Sequence, residues 1–119
     1  MSVITSEGSA ARIGSSEIKY AVIDAASAGD NTIVSAVTGK KIRVLSYVLV
    51  NGHTATQTAR FESAASGTAL TGQMILGANG GVVAQMNEGG WFQTVAGELL
   101  NLELAGATTV DGHLSYIEV

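Results

Sequence analysis

Apolar and polar positions alternate along this chain in runs of a few residues, and no stretch reads convincingly as a helix. The clearest run places Leu100, Leu102 and Leu104 between Asn101 and Glu103, the period of a strand with one face on a core and one in water. Runs of this kind recur at 18–25, 32–37, 41–50, 56–63, 73–76, 82–86, 91–95, 99–105 and 113–119. The breaks between them carry Gly with Asn or Asp: Gly29-Asp30-Asn31, Asn51-Gly52, Asn79-Gly80-Gly81, Glu88-Gly89-Gly90 and Asp111-Gly112. Pairs such as Asn-Gly and Asp-Gly suit backbone with positive φ and signal tight hairpins. About nine short strands imply an all-β domain, an antiparallel β-sandwich or a small barrel.

Two runs depart from simple alternation. Thr54, Thr56, Thr58, Arg60 and Glu62 make one polar face, with Phe61 on the other. The run 41–50 is apolar on both faces: Ile42, Val44, Val48 and Val50 on one, Leu45, Tyr47 and Leu49 on the other. Antiparallel sandwiches usually leave one face of each sheet wet. A strand apolar on both sides sits either in a sheet covered on both sides or at a subunit interface, and the wet outer face of most sandwiches favours the interface. Residues 1–16, rich in Ser, Gly and Ala and without periodicity, read as an extended N-terminal arm ahead of a β-domain spanning 17–119.

Charge sharpens the picture. Only 13% of the 119 residues are charged, about half the usual share of a globular domain, roughly 25%. A domain this small exposes much surface, so much of that surface is uncharged, the kind a subunit buries against copies of itself or a larger assembly. Proline, a common device for blunting sheet edges, is absent. The net charge of −4 and the scattered basic residues, clustered only at 40–43, argue against binding nucleic acid through its phosphates. There is no cysteine, and hence no disulfide or thiolate metal site. The N-terminus lacks the basic start and apolar run of a secretory signal, and no window is apolar enough to span a membrane, so a cytoplasmic product is expected.

Candidate chemistry is thin. His53 and His113 each follow an Asn-Gly or Asp-Gly pair and read as loop-tip residues; a metal site would need both, with a carboxylate such as Asp111. Asp111, His113 and Ser115 fall on one face of a strand, but no nucleophile-elbow pattern surrounds them. The glycines at 77–81 lack the Lys-Ser/Thr of a phosphate loop and read as a hairpin turn. Trp91 and Phe92 behind Gly89-Gly90 read as large apolar anchors. No catalytic residue, metal ligand or cofactor is expected.

The stretch 33–119 resembles small phage virion proteins of the head decoration, or capsid cement, kind. The resemblance rests on Gly39-Lys40-Lys41-Ile42-Arg43-Val44-Leu45, Ser66-Gly67-Thr68-Ala69-Leu70-Thr71-Gly72, Ala78-Asn79-Gly80-Gly81-Val82 and Gly90-Trp91-Phe92. It continues in Ala96-Gly97-Glu98-Leu99-Leu100-Asn101-Leu102 and the closing Tyr116-Ile117-Glu118-Val119. These are turn and strand motifs, not active-site residues. The resemblance implies a jelly-roll-like sandwich, a homotrimer, bound to the major capsid protein on the outside of the shell. On that reading Tyr47, Leu49, Trp91 and Phe92 are candidate anchors of the oligomer or capsid interface, and Val3, Ile4, Arg12 and Ile13 candidate capsid contacts of the arm. A trimeric tail-fibre or receptor-binding knob and a carbohydrate-binding module are the alternatives. The last requires an exposed Trp91.

Overall fold

The computed structural model describes residues 11–119; Val3 and Ile4 lie outside them. A small ribbon comes first, β1 (Arg12–Ile13) and β2 (Ser16–Glu17), closed at Gly14 with φ 60°. Ten strands follow: β3 (Lys19–Ala25), β4 (Thr32–Val34), β5 (Ile42–Asn51), β6 (Gln57–Ser63), β7 (Thr68–Ala69), β8 (Met74–Leu76), β9 (Gly81–Ala84), β10 (Phe92–Gln93), β11 (Leu100–Leu104) and β12 (Val110–Glu118). All pairings are antiparallel and there is no helix among the described residues. The protein is an antiparallel β-sandwich.

Two pairs of short strands are single strands with an interruption. β9 and β10 both lie along β5, and the intervening loop 85–91 keeps two ladder bonds, Asn87 N–H to Leu45 O (2.9 Å) and Trp91 N–H to Val44 O (2.8 Å). β7 and β8 both lie along β6, with Leu70 N–H to Phe61 O (2.8 Å) between them. Counted so, eight strand lines form two four-line sheets. Sheet I runs β9/β10, β5, β12, β3; sheet II runs β4, β11, β6, β7/β8.

Most connections between these lines cross from one sheet to the other; only β6 and β7 are joined as a hairpin within a sheet. Asn51-Gly52 and Asn79-Gly80-Gly81 therefore turn the chain between sheets, in place of the hairpins their composition implies. The β6–β7 hairpin sits at Ala64-Ala65-Ser66-Gly67, where Ala64 and Ser66 adopt φ of 71° and 52°. Asp30 holds that turn, its carboxylate accepting from Ser66 N–H and Oγ–H, both at 2.9 Å.

The core lies between the sheets. Ile23, Ala25, Val44, Leu49, Val110 and Leu114 from sheet I meet Val34, Ala59, Phe61, Leu76, Leu100, Leu102 and Leu104 from sheet II. Tyr47, Phe61 and Phe92 stack tilted or edge-on with centroids 5.1–6.0 Å apart, bridging the sheets. The buried polar residues fasten strands to loops. Asn51 donates to the carbonyls of Ala55 (2.8 Å), Leu76 and Gly77 (both 3.1 Å), and Gln57 donates to Gly106 O (2.7 Å) and Thr108 O (3.1 Å). Each such bond satisfies a backbone group that burial would otherwise leave unpaired.

Candidate functional site

The two sheets present different faces to solvent. On sheet II the outward residues of β6 and β11 are polar and tied to one another, while Ile75 of β8 stands exposed opposite Thr58. Arg60 Nε reaches Glu62 (2.8 Å) and Glu103 (3.0 Å), and Asn101 Nδ2 donates to Glu62 Oε1 (3.0 Å) and Asp30 Oδ1 (2.9 Å). Asp30, Glu62 and Glu103 bring carboxylate oxygens within 4.8 Å of one another. Arg60, Asn101 and Ser66 already engage those oxygens, so the cluster is a hydrogen-bonded network with one cation among three carboxylates.

Sheet I is the reverse. Alternation sends Ile23, Leu114, Leu49 and Val82 inward and their neighbours outward. The register then lines up Val22, His113, Val48 and Val83 directly across all four strands. Val22 is 78% exposed and Val83 70%; Tyr20, at 74%, and Val50 flank the row. One end of this face carries the acids, Asp24 opposite Asp111 and Asp111 opposite Val50. Burial first and the Asp24 carboxylate second push the Asp111 carboxyl above its usual range. The opposite end is covered: Leu45 and Ile117 are fully buried although they stand outside the central cluster, and Ser46 Oγ and Ser115 Oγ bond at 2.5 Å.

A β-bulge decides which residues of β5 reach this face. Ser46 pairs with Ser115 and Val44 with the next residue, Tyr116, so Leu45 is an extra residue and the alternation changes phase there. Ile42 and Val44 thus share the core side with Tyr47 and Leu49, while Val48 and Val50 face out. Leu49 is fully buried within the sandwich and is withdrawn as an interface anchor. Tyr47 and Phe92 pack against Phe61 in the core and are only partly exposed. Tyr47 keeps a contact from its hydroxyl to Met74 Sδ (3.7 Å), and burial pushes its phenol pKa up.

Trp91 alone of the four is strongly exposed, at 49%, on the 85–91 loop with Met86. Its indole N–H donates to Gln85 O (2.8 Å), and Asn87 braces the loop through Gly89 N–H and Gly90 O. The two described arm residues belong to the small ribbon. Arg12 and Ile13 form β1, with Arg12 Nη1 reaching Ser15 O at 3.4 Å, beside the Lys19–Glu118 ion pair (3.0 Å).

The histidines also separate. His53 lies in the 52–56 loop, as its sequence context implies, where its Nδ1 accepts from Ala55 N–H (3.1 Å). His113 is no loop-tip residue, because Asp111-Gly112 lies inside β12 and makes no turn. Gly112 has φ 155° and runs so close to β5 that a Cβ there would overlap the Val48 carbonyl. Asp111, His113 and Ser115 do share the outer face, with Ser115 hydrogen-bonded to Ser46. No helix of the described residues is long and apolar enough to cross a membrane. No family model, curated protein or solved structure matches the chain.

Proposed function

We propose that this chain is a structural virion protein that docks on the outside of a phage capsid and stabilises the shell. The observation that carries the reading is the row Val22, His113, Val48 and Val83, free of Asp, Glu, Lys and Arg across the whole of sheet I, opposite a sheet II whose charged groups are tied to one another. An exposed apolar sheet face on a domain this small marks a surface for protein contact. The strand pairing supports the jelly-roll reading. The eight lines pair first with eighth, second with seventh, third with sixth and fourth with fifth, as in one long hairpin rolled into two sheets.

A protein that binds the assembled shell but not its free subunits stabilises the shell by mass action. Many copies, each held by a modest apolar contact, together oppose internal pressure. The test is co-sedimentation with shells of the major capsid protein of the virus encoding the chain, with shell melting temperature as a second readout. Wild-type protein should pellet and raise the melting temperature. Val83→Glu, which adds a charge to the row without touching the core, should do neither. A variant that binds as well as wild type would sink the reading.

Exposed Trp91 favours one other reading, a carbohydrate-binding module, because that reading requires the indole to be in solvent. Retention on immobilised glycans, lost in Trp91→Ala with the fold intact, would decide for it.

A further inference from the structure

Three of the four sheet edges are blunted. β4 has three residues, β7/β8 is broken at 70–73, and β9/β10 is broken by the 85–91 loop. The fourth, β3, runs seven residues with no bulge against β12 and no proline. The β1–β2 ribbon precedes it, closed by Ile18 N–H to Ala11 O at 2.8 Å, and touches β12 through Ser16 Oγ–H to Glu118 O at 3.5 Å. Among the described residues, no strand pairs with the other side of Lys19–Ala25. A long, regular, open edge is a template for another strand.

We propose that β3 pairs antiparallel with β3 of a second copy, about a two-fold axis at Val22. Antiparallel partners opposite each other share a face, so outward residues must meet outward residues. The axis at Val22 does this throughout: Val22 meets Val22, Tyr20 meets Asp24, Ala21 meets Ile23, and Lys19 meets Ala25. Inside the sandwich the small Ala21 thus faces the large Ile23.

Outside, the register answers a defect of the single chain. Asp24 and Asp111 stand directly opposite, a like-charge pair that adds to burial in raising the Asp111 carboxyl. Tyr20 of the second copy brings a hydroxyl donor beside that pair. Tyr20 itself, 74% exposed in one chain, gains a covered ring. Strand polarity, facing side chains and the acids are all matched by the same segment, which is why a second copy is the occupant. The contact is isologous and closes on itself. It joins the two apolar rows into one stripe across eight strand lines, and it makes a dimer in place of the trimer implied by the family resemblance.

The absence of cysteine makes the pairing directly testable. Val22→Cys places two thiols across the axis, with Cβ atoms about 4.5–5.5 Å apart, within reach of a disulfide after a small adjustment. Mild oxidation should give a covalent dimer of about 24 kDa, twice the 12.1 kDa chain, and light scattering should give the same mass for wild type. Val83→Cys, on the same face but at the blunted opposite edge, should cross-link at least ~10-fold more slowly. Val22→Lys should weaken self-association at least ~10-fold with the far-ultraviolet dichroism unchanged.

A trimer, a monomer at every concentration, or equal cross-linking of the two cysteine variants would overturn the proposal. So would a monomer that dimerises only after residues 1–10 are removed, which would assign the edge to the chain's own N-terminus. The mass measurement involves no capsid, so its outcome is independent of the docking reading.

Discussion

At Gly112 strand β12 presses against β5 so closely that only a hydrogen fits before the Val48 carbonyl. The inward row there reads Val82, Leu49, Gly112, Ile23, and the missing side chain lets Leu49 and Ile23 pack at full size. Gly112→Ala must push two central strands apart, since the obstructing atom is backbone. We expect a loss of roughly 3 kcal/mol in urea unfolding, a typical cost of strain in a packed core. On the other face of the same strand, Asp111→Asn should stabilise by about 0.3 kcal/mol at pH 7, the low end for an exposed cross-strand pair. The sign follows from the direction of its shift. A carboxyl raised in the folded state holds its proton more tightly folded than unfolded, so its ionisation opposes folding. The gain from Asn should therefore fade as pH falls through the raised folded pKa and be gone below the ordinary carboxylate value. Asp30 works the other way: Ser66 N–H first, then its hydroxyl, then Asn101 hold its carboxyl below the usual range. The stability it gives is present above the unfolded pKa and lost as pH falls through the folded one. Thermal melts of Asp30→Asn and Asp111→Asn between pH 2 and pH 7 should thus diverge from wild type in opposite directions at neutral pH and converge in acid.

The nine strands visible in the amino-acid pattern are all present, with ends shifted by at most three residues. Alternation finds them because each long strand has one face in a continuous core. It missed β1, β2 and β7, which are two residues each and too short to have a period. It also misread how strands connect. Asn51-Gly52 looks like a hairpin because its local chemistry is that of a turn, and local chemistry does not say which sheet the next strand joins. The faces of Tyr47 and Leu49 were hidden for a related reason: the bulge at Leu45 exchanges the faces of β5 midway, and a one-residue insertion in a run of apolar residues leaves no mark on the pattern. Asn51 shows what the local signal concealed. Fully buried at the end of β5, it gathers three carbonyls from the 52–56 loop and the end of β8. Asn51→Ala would strand those carbonyls, and removing one partner of buried hydrogen bonds costs about 1–3 kcal/mol. The cost should appear in equilibrium unfolding, and amide exchange should show new opening at residues 52–56 and 76–80 while β12 stays protected.

For the molecule as a whole, few charges and a divided surface have one consequence that separates docking modes. Net charge is −4, yet the row on sheet I has no permanently charged side chain, and Asp24 and Asp111 sit at its margin. Exposed charges more than ~10 Å apart are screened at about 0.1 M salt, so a contact built on steering between charged surfaces weakens steeply as salt rises. A contact built on apolar area does not, because the transfer of apolar surface from water is not a Coulombic effect. If the capsid is held through Val22, Val48 and Val83, raising sodium chloride from 50 to 500 mM should change the half-saturation concentration on shells by less than ~3-fold. Substituting ammonium sulfate, which is excluded from protein surfaces, should tighten binding. A loss of ~10-fold or more over the chloride range would mean that charged groups make the contact. Attention would then move from the row on sheet I to Arg12, Lys19 and Lys40, where the basic side chains gather beside Glu118.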